Sequence, residues 1–296
     1  MPEGDTVFLA GHRMHDALAG KTLRRGELRH PRLAALDLTG LDVLGVRTYG
    51  KHMFTHFSDG NSLRSHFRMD GSWHLYRPGE KWRRPAHQAR AVFEVDDRQA
   101  IGFALHDLEF VPTSEEDRLI SHLGPDLLAA EFDTAEAVRR LTADPSRPVG
   151  LALLDQRVMA GVGNLYRAEV CFLLRVLPTA PVSAVDPSRA VALSRKLLQA
   201  NQWRPEQSTT GDLRVQHYVF ERTGKPCLRC RTRVRSDEID GRFVYFCPKC
   251  QKVEPKRSPG RVPHYGGQSG CVASRLHRRP VRGAEEPARR GPGAPG

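Results

Sequence analysis

YGKHMFTHFSDGNSLRSHFRMDGSW, residues 49–73, decides the fold class. HMFTHF and SLRSHF stand on either side of Asp59-Gly60, and an Asp-Gly step between two strand-like runs is a hairpin turn signal. Toward the C-terminus, RAVFEV (90–95) and AIGFAL (100–105) flank Asp96-Asp97 as a second hairpin. YRPGEKWRRPAHQ (76–88) is polar and Pro-containing and reads as a loop. Toward the N-terminus, DTVFLAGHRMHDALAG (5–20) places Val7, Ala10, Met14, Ala17 and Leu18 at helical spacing, with Gly20 as the stop. Residues 1–113 therefore predict one helix on an antiparallel two-layer sheet.

Beyond residue 113 the period changes. TSEED (113–117) ahead of RLISHL is a helix-capping signal, and the apolar spacing stays helical to about residue 203, broken at Pro178, Pro181 and Pro187. A helical domain is expected over 114–212. A third module, 213–253, alternates in strand fashion at FVYF (243–246) between two cysteine pairs. Residues 254–296 hold seven Pro and eight Gly among 43 residues, with no apolar periodicity, and are expected to form a disordered basic tail. The expected class is α+β and multidomain: an N-terminal helix plus antiparallel β-sandwich, a helical domain, and a C-terminal β-hairpin zinc finger.

Cys227-x-x-Cys230 and Cys247-x-x-Cys250 are sixteen residues apart. Each turn can aim two thiolates at one ion, so the four residues predict a single zinc. With four Cys ligands no coordination position is left for a catalytic water, and the ion is expected to be structural. Arg229, Arg231, Arg233, Arg235 and Arg242 crowd the same module and predict an anion-binding face. Cys171 reads as a buried helix residue and Cys271 as a free thiol in the tail.

Hydrophobic residues make up 39% of the 296 and charged residues 27%, the balance of a chain with a buried core. No run approaches the roughly 18 apolar residues of a membrane-spanning helix. MPEGDTVF starts with an acid and does not read as a secretory signal, so a cytosolic monomer is expected, nucleoid-associated in a bacterium. The formal charge of +12 favours an anionic partner, nucleic acid above all. Half of that excess, +6, falls in 254–296.

Met1 precedes Pro2, a small residue, and its removal would expose a proline nitrogen. Such an amine can attack an aldehyde-like carbon to form a Schiff base. A helix beginning just beyond it disfavours positive charge on that amine. Glu3 is adjacent and can donate or accept a proton. By itself this pattern also fits an ordinary Pro in a first helical turn.

MPEGDTV resembles the N-terminus of the formamidopyrimidine-DNA glycosylase family, in its endonuclease VIII-like branch. YGKHMF (49–54) is similar to that family's catalytic lysine turn and SHFRMDGSW (65–73) to its intercalation loop. LLDQRVMAGVGNLYRAEV (153–170) is similar to its helix–two-turns–helix motif. QHYVFERTGKPC with GRFVYFCPKCQK resembles its zinc finger. The matches run in order through about residue 252.

The resemblance implies double-stranded damaged DNA as partner and a bifunctional reaction. Pro2 would attack the sugar carbon bearing the damaged base, Glu3 would protonate the sugar, and elimination would cut the strand on both sides. Lys51 would hold a phosphate. Met69, beside Arg68, would wedge into the space left by the flipped nucleotide. Asn164 and Arg242 would clamp phosphates, and Gly161 and Gly163 would let amides approach them. Glu169 matches an acidic position near the site.

HDLEFVP (106–112) lacks the arginine that oxidised-purine enzymes carry on a second loop; Phe110 is present. Oxidised pyrimidines are therefore the expected lesions. An oxidised-purine glycosylase and a non-catalytic zinc-dependent DNA-binding protein remain alternatives, separated by lesion preference and by covalent trapping. An RNA-binding zinc protein ranks last, because no aromatic stacking signature is found.

Overall fold

The computed structural model describes residues 2–252; Met1 and residues 253–296 lie outside it, and with them the tail expected at 254–296 and Cys271. α1 (Gly4–Leu18) buries Val7, Met14, Ala17 and Leu18 on one stripe, as the spacing predicts. Ala19 leaves the helical backbone and Gly20 takes a left-handed φ of 74°, which ends the helix.

Nine strands follow: β1 (Lys21–Thr22), β2 (Arg25–Leu28), β3 (Asp42–Tyr49), β4 (His52–Phe57), β5 (Asn61–His66), β6 (Ser72–Tyr76), β7 (Ala89–Glu94), β8 (Gln99–Phe103) and β9 (Asp107–Pro112). They form a five-stranded sheet in the order β1-β3-β4-β5-β9 and a four-stranded sheet in the order β2-β7-β8-β6. Both expected hairpins are present. Phe54 faces Arg64 across Asp59-Gly60, and Val92 faces Ile101 across Asp96-Asp97. Phe57, Leu63, Trp73 and Phe93 pack with Val7, Met14 and Leu18 into one buried cluster. Phe57 and Phe93 meet edge to face at 5.7 Å.

The capping signal at 113–117 plays out differently. Thr113–Glu115 form a 3₁₀ turn, and α2 (Glu116–Ile120) is five residues long with no side-chain cap. The Glu116 carboxylate instead joins Arg47 at 2.7 Å and His56 at 2.9 Å on the sheet. Tertiary ion pairing takes the acid that a capping box would use.

α3 (Thr134–Leu141), α4 (Val149–Leu154), α5 (Asn164–Leu174) and α6 (Pro187–Asn201) complete the helices. Pro187, expected as a breaker, starts α6, where Asp186 accepts a bond from Arg189 N at 3.1 Å. β10 (Arg235–Ile239) and β11 (Arg242–Phe246) form an antiparallel hairpin. It shares a core with the helices: Val234 and Cys247 lie in one buried cluster with Leu153, Tyr166, Phe172 and Leu198. Among the described residues no helix is long and apolar enough to cross a membrane.

Candidate active site

The start of α1 and the start of α5 are pressed together. Gly4 N donates to Gly161 O at 2.9 Å, and a Cβ on Gly4 would lie 2.9 Å from Gly161 Cα. That approach carries the Glu3 side chain onto the N-terminus of α5. There its carboxylate accepts from Gly163 N at 2.7 Å and Leu165 N at 2.7 Å, with Tyr166 N at 3.4 Å. Three amides and a helix N-terminus favour the anion. Glu3 is nevertheless fully buried, and burial outweighs them, so its pKa rises to about 7. A carboxyl poised there can give up or take a proton near neutrality.

Lys51 sits in the turn between β3 and β4, and its Nζ donates to Val162 O at 2.7 Å. Burial lowers its pKa, while Glu3 raises it. Pro2 is half-buried, immediately before Glu3. One open cleft is lined by Pro2, Glu3, Lys51, Arg68, Met69, Asn164 and Arg242. Residues 240 positions apart in the chain, Pro2 and Arg242, thus line one cleft.

Arg68 has a φ of 52° and leads a tight turn closed by Gly71 N donating to Phe67 O at 2.9 Å. The turn leaves Met69 70% exposed, although methionine is among the residues most often buried. Asp107 anchors the turn: Arg68 Nη2 donates to its Oδ2 at 2.9 Å, Arg64 Nη2 to its Oδ1 at 2.5 Å, and His66 Nδ1 lies 3.4 Å away. The His66 bond and the two arginines hold the Asp107 carboxyl well below the ordinary range. His66 stacks on His52 at 4.7 Å, and burial depresses the His52 pKa to about 3.

Not every expected residue reaches the cleft. Glu169 is fully buried on α5 and receives Tyr218 N, Val219 N and Phe220 N at 2.8–2.9 Å, together with the Thr209 hydroxyl. It ties the 209–220 segment to α5, and no oxygen is left for DNA. The amides of Gly161 and Gly163 are likewise taken, by Gln156 Oε1 and Glu3, and do not point at a phosphate site. A Cβ on Gly163 would meet Glu3 Cδ at 2.5 Å, so this glycine makes room for the carboxylate. Phe110 packs on the sandwich core, 6.1 Å from the Phe57 ring, and is no wedge. Of the five zinc-module arginines only Arg242 lines the cleft. Arg229 lies over the Phe172 ring at 4.5 Å, and Arg233 donates to Gly224 O.

The cleft also holds residues that the sequence reading passed over. His66 lies within the quoted 65–73 stretch and lines the wall beside Lys51. Arg147, Asp155, Gln156 and Arg157 also line the cleft, and Gln156 Nε2 donates to Val162 O, the carbonyl that Lys51 bonds. Behind Glu3, Asp5 is buried and accepts from Tyr166 Oη at 2.7 Å and from Gln207 Nε2 at 2.9 Å. Burial raises the Asp5 pKa. No spacing rule links Asp5 to Gln207, 202 residues away.

The four cysteines of the hairpin module satisfy the geometry of one tetrahedral ion. Their sulfurs all lie within 4.8 Å of one another, with Cys227 and Cys250 at 3.8 Å and Cys230 and Cys247 at 3.4 Å. Zinc–sulfur bonds of about 2.3 Å in a tetrahedron put sulfurs about 3.8 Å apart. Cys227, Cys230, Cys247 and Cys250 form a site for a single structural zinc. Cys171 stands apart on α5, fully buried, with its thiol pushed up to about 12 by burial.

Three families of domain match in sequence. Residues 1–107 match the formamidopyrimidine-DNA glycosylase N-terminal domain, 123–202 the formamidopyrimidine-DNA glycosylase H2TH domain, and 224–253 the zinc finger found in FPG and IleRS. A probable endonuclease 8 2 of Streptomyces coelicolor is 47% identical, covering 91% of this chain and 98% of its own. A DNA-(apurinic or apyrimidinic site) lyase of Mycolicibacterium smegmatis is 44% identical over 85% of this chain and 99% of its own. Among solved structures, Lactococcus lactis formamidopyrimidine-DNA glycosylase bound to DNA containing an abasic site superposes with a TM-score of 0.72. It is 24% identical, over 85% of this chain and 100% of that one, and attests the shared fold. With relatives this similar along their whole length, the chain belongs to the formamidopyrimidine-DNA glycosylase and endonuclease VIII family, in its endonuclease VIII-like branch.

Proposed function

We propose that the protein is a bifunctional DNA glycosylase and abasic-site lyase of base excision repair, acting on oxidised pyrimidines in duplex DNA. The observation that carries the proposal is the convergence of Pro2, Glu3 and Lys51 on one cleft, with a buried Glu3 carboxyl poised near neutral pH. After loss of Met1, the Pro2 nitrogen attacks C1′ of the flipped nucleotide. The bond from C1′ to the base breaks, and its electron pair leaves with the base. Glu3 delivers a proton to the ring oxygen, the ring opens, and an iminium joins Pro2 to C1′. Loss of the C2′ proton expels the 3′ phosphate, and a second elimination expels the 5′ phosphate.

Lys51, Asn164 and Arg242 hold the phosphates that flank the flipped nucleotide, which places C1′ against Pro2. Met69 fills the gap in the stack, with Arg68 beside it. Cys227, Cys230, Cys247 and Cys250 would hold the zinc with no position left open for chemistry, and the ion would order the hairpin that carries Arg242. The preference for oxidised pyrimidines rests on the MPEGDT start and on a second loop without arginine, whose Phe110 is spent on the core.

Borohydride trapping on a panel of duplexes tests the reading. Thymine glycol and abasic duplexes are expected to give a covalent adduct that Pro2→Gly abolishes. No adduct on any duplex leaves a DNA-binding protein instead. Faster release of 8-oxoguanine than of thymine glycol overturns the substrate choice.

A further inference from the structure

The segment from Arg77 to Gln88 joins β6 to β7 across one face of the four-stranded sheet, where Trp82 packs on the cluster of Tyr76, Val92, Ile101 and Phe103, and the cleft uses none of it. It carries Arg77, Lys81, Arg83 and Arg84 against Glu80 alone, a net of +3. It is pinned down. Trp82 Nε1 donates to Gln99 Oε1 at 2.6 Å and its ring meets Phe103 edge-on at 6.0 Å, while Arg29 covers it at 5.8 Å. Arg83 N donates to the Tyr76 hydroxyl at 3.1 Å.

Arg84 fixes where this segment sits. Its guanidinium lies over Phe103 at 5.6 Å, its Nε donates to Gln88 Oε1 at 2.8 Å, and its Nη1 donates to the carbonyl of Asp70 at 2.9 Å. Asp70 is the residue after Met69. Arg68 and Met69 line the cleft, whereas Asp70, Arg83 and Arg84 do not. Through Arg84 the segment therefore braces the Met69 turn from outside the cleft that Pro2 lines.

Along the segment Arg77, Lys81 and Arg83 are exposed, Arg77 at the far end of β6 from the turn, and among the described residues none has a carboxylate within 4.0 Å. The Glu80 carboxylate accepts from the backbone N of Arg77 at 3.0 Å. Elsewhere in the same domain Arg24, Arg25, Arg29, Arg64 and Arg68 each have an acidic partner, while Arg13, Arg32, Arg90 and Arg98, scattered singly along the chain, have none among the described residues. Cations left unpaired on a braced loop, beside a residue that enters the base stack, suit a backbone that carries a charge every 1.7 Å or so of helix axis.

We propose that residues 77–88 form a second phosphate-binding surface, taking the duplex backbone beyond Met69, outside the cleft that Pro2 lines. This rests on the DNA-repair reading above. Arg77, Lys81 and Arg83 supply charge, and Arg84 is a positioning residue that couples the loop to the wedge turn.

The test uses the full-length protein, a duplex bearing a tetrahydrofuran abasic analogue, and binding measured across a salt series. Replacing Arg77, Lys81 and Arg83 together by Ser is expected to lower the slope of log K against log[salt] by about 1 to 3, at about 0.9 per lost phosphate contact. On a second duplex with a natural abasic site, whose C1′ can form the iminium, borohydride trapping at saturating protein is expected to match the parent. Replacing Arg13, Arg32 and Arg98 by Ser removes the same charge elsewhere and is expected to leave the slope unchanged. An unchanged slope in the loop variant overturns the proposal, and so does an equal fall in the control variant. Failure of the parent to trap on any abasic duplex would instead sink the enzymatic reading, while the slope comparison would still report on the loop.

Discussion

Glu3 is held between opposing forces. Burial drives it toward the neutral acid, and the amides of Gly163 and Leu165 with the nearby Lys51 charge pull it toward the anion. The result near 7 has two consequences. As the proton donor, Glu3 loses its proton as pH rises through about 7, so base release is expected to fall along an alkaline limb there. Glu3→Gln is expected to release no base, yet still be trapped on a preformed abasic site, whose open-chain aldehyde needs no departing base. Retention of full base release by Glu3→Gln would remove Glu3 from the reaction. Stability follows the same group. The folded pKa lies above the ordinary 4.5, so the favourable contribution of the neutral acid is complete below about 4.5 and is lost as pH rises through about 7. Pro2 and Glu3 were readable from the sequence because they occupy one local motif. Asp5 and Gln207 were not, because their bond spans 202 positions and leaves no local pattern.

At the scale of elements, period and turn chemistry carried far. The Asp59-Gly60 and Asp96-Asp97 turns, the α1 stripe and the paired C-x-x-C turns are local signals, and each appears where expected. What failed were residues with two available partners. Glu116 had a cap to make and made ion pairs with Arg47 and His56. Glu169 had a DNA surface to join and was drawn into the backbone of 218–220. The sequence cannot show which partner folding brings nearer. Glu169 tethers a segment that also reaches Asp5 through Gln207, so its loss acts at a distance. Glu169→Gln keeps the shape but sets an amide donor against backbone N–H groups. It is expected to cost about 1–3 kcal/mol, read as a lowered denaturation midpoint. Salt dependence of DNA binding is expected to stay as in the parent; a steeper slope, from removing a like charge beside the phosphates, would return Glu169 to the DNA surface.

At the scale of the whole molecule, the cleft has three sources. The sandwich supplies Lys51 and Met69, the helices supply Asn164 and the shelf under Glu3, and the cysteine hairpin supplies Arg242. The hairpin is tied to the helices by few bonds. Arg167 Nη2 donates to Phe243 O at 3.0 Å, Gln251 Nε2 to Val176 O at 2.8 Å, and Arg229 covers Phe172. Arg167 is itself buried and also bonds Asn164, so one buried cation holds Asn164 and the carbonyl of Phe243, the residue after Arg242. A two-stranded module of this size depends on its ion for order. Stripping zinc with a chelator is therefore expected to melt the hairpin and withdraw Arg242, while the sandwich, whose apolar cluster contains no hairpin residue, keeps its near-ultraviolet signal from Trp73. Binding to an abasic duplex is expected to weaken and its salt slope to drop. Replacing Arg242 by Ser in the zinc-loaded protein is expected to reproduce about one phosphate contact of that drop, a slope change near 0.9. If chelation left both affinity and slope intact, the hairpin would have no part in holding DNA, and the clamp would reduce to Lys51 and Asn164.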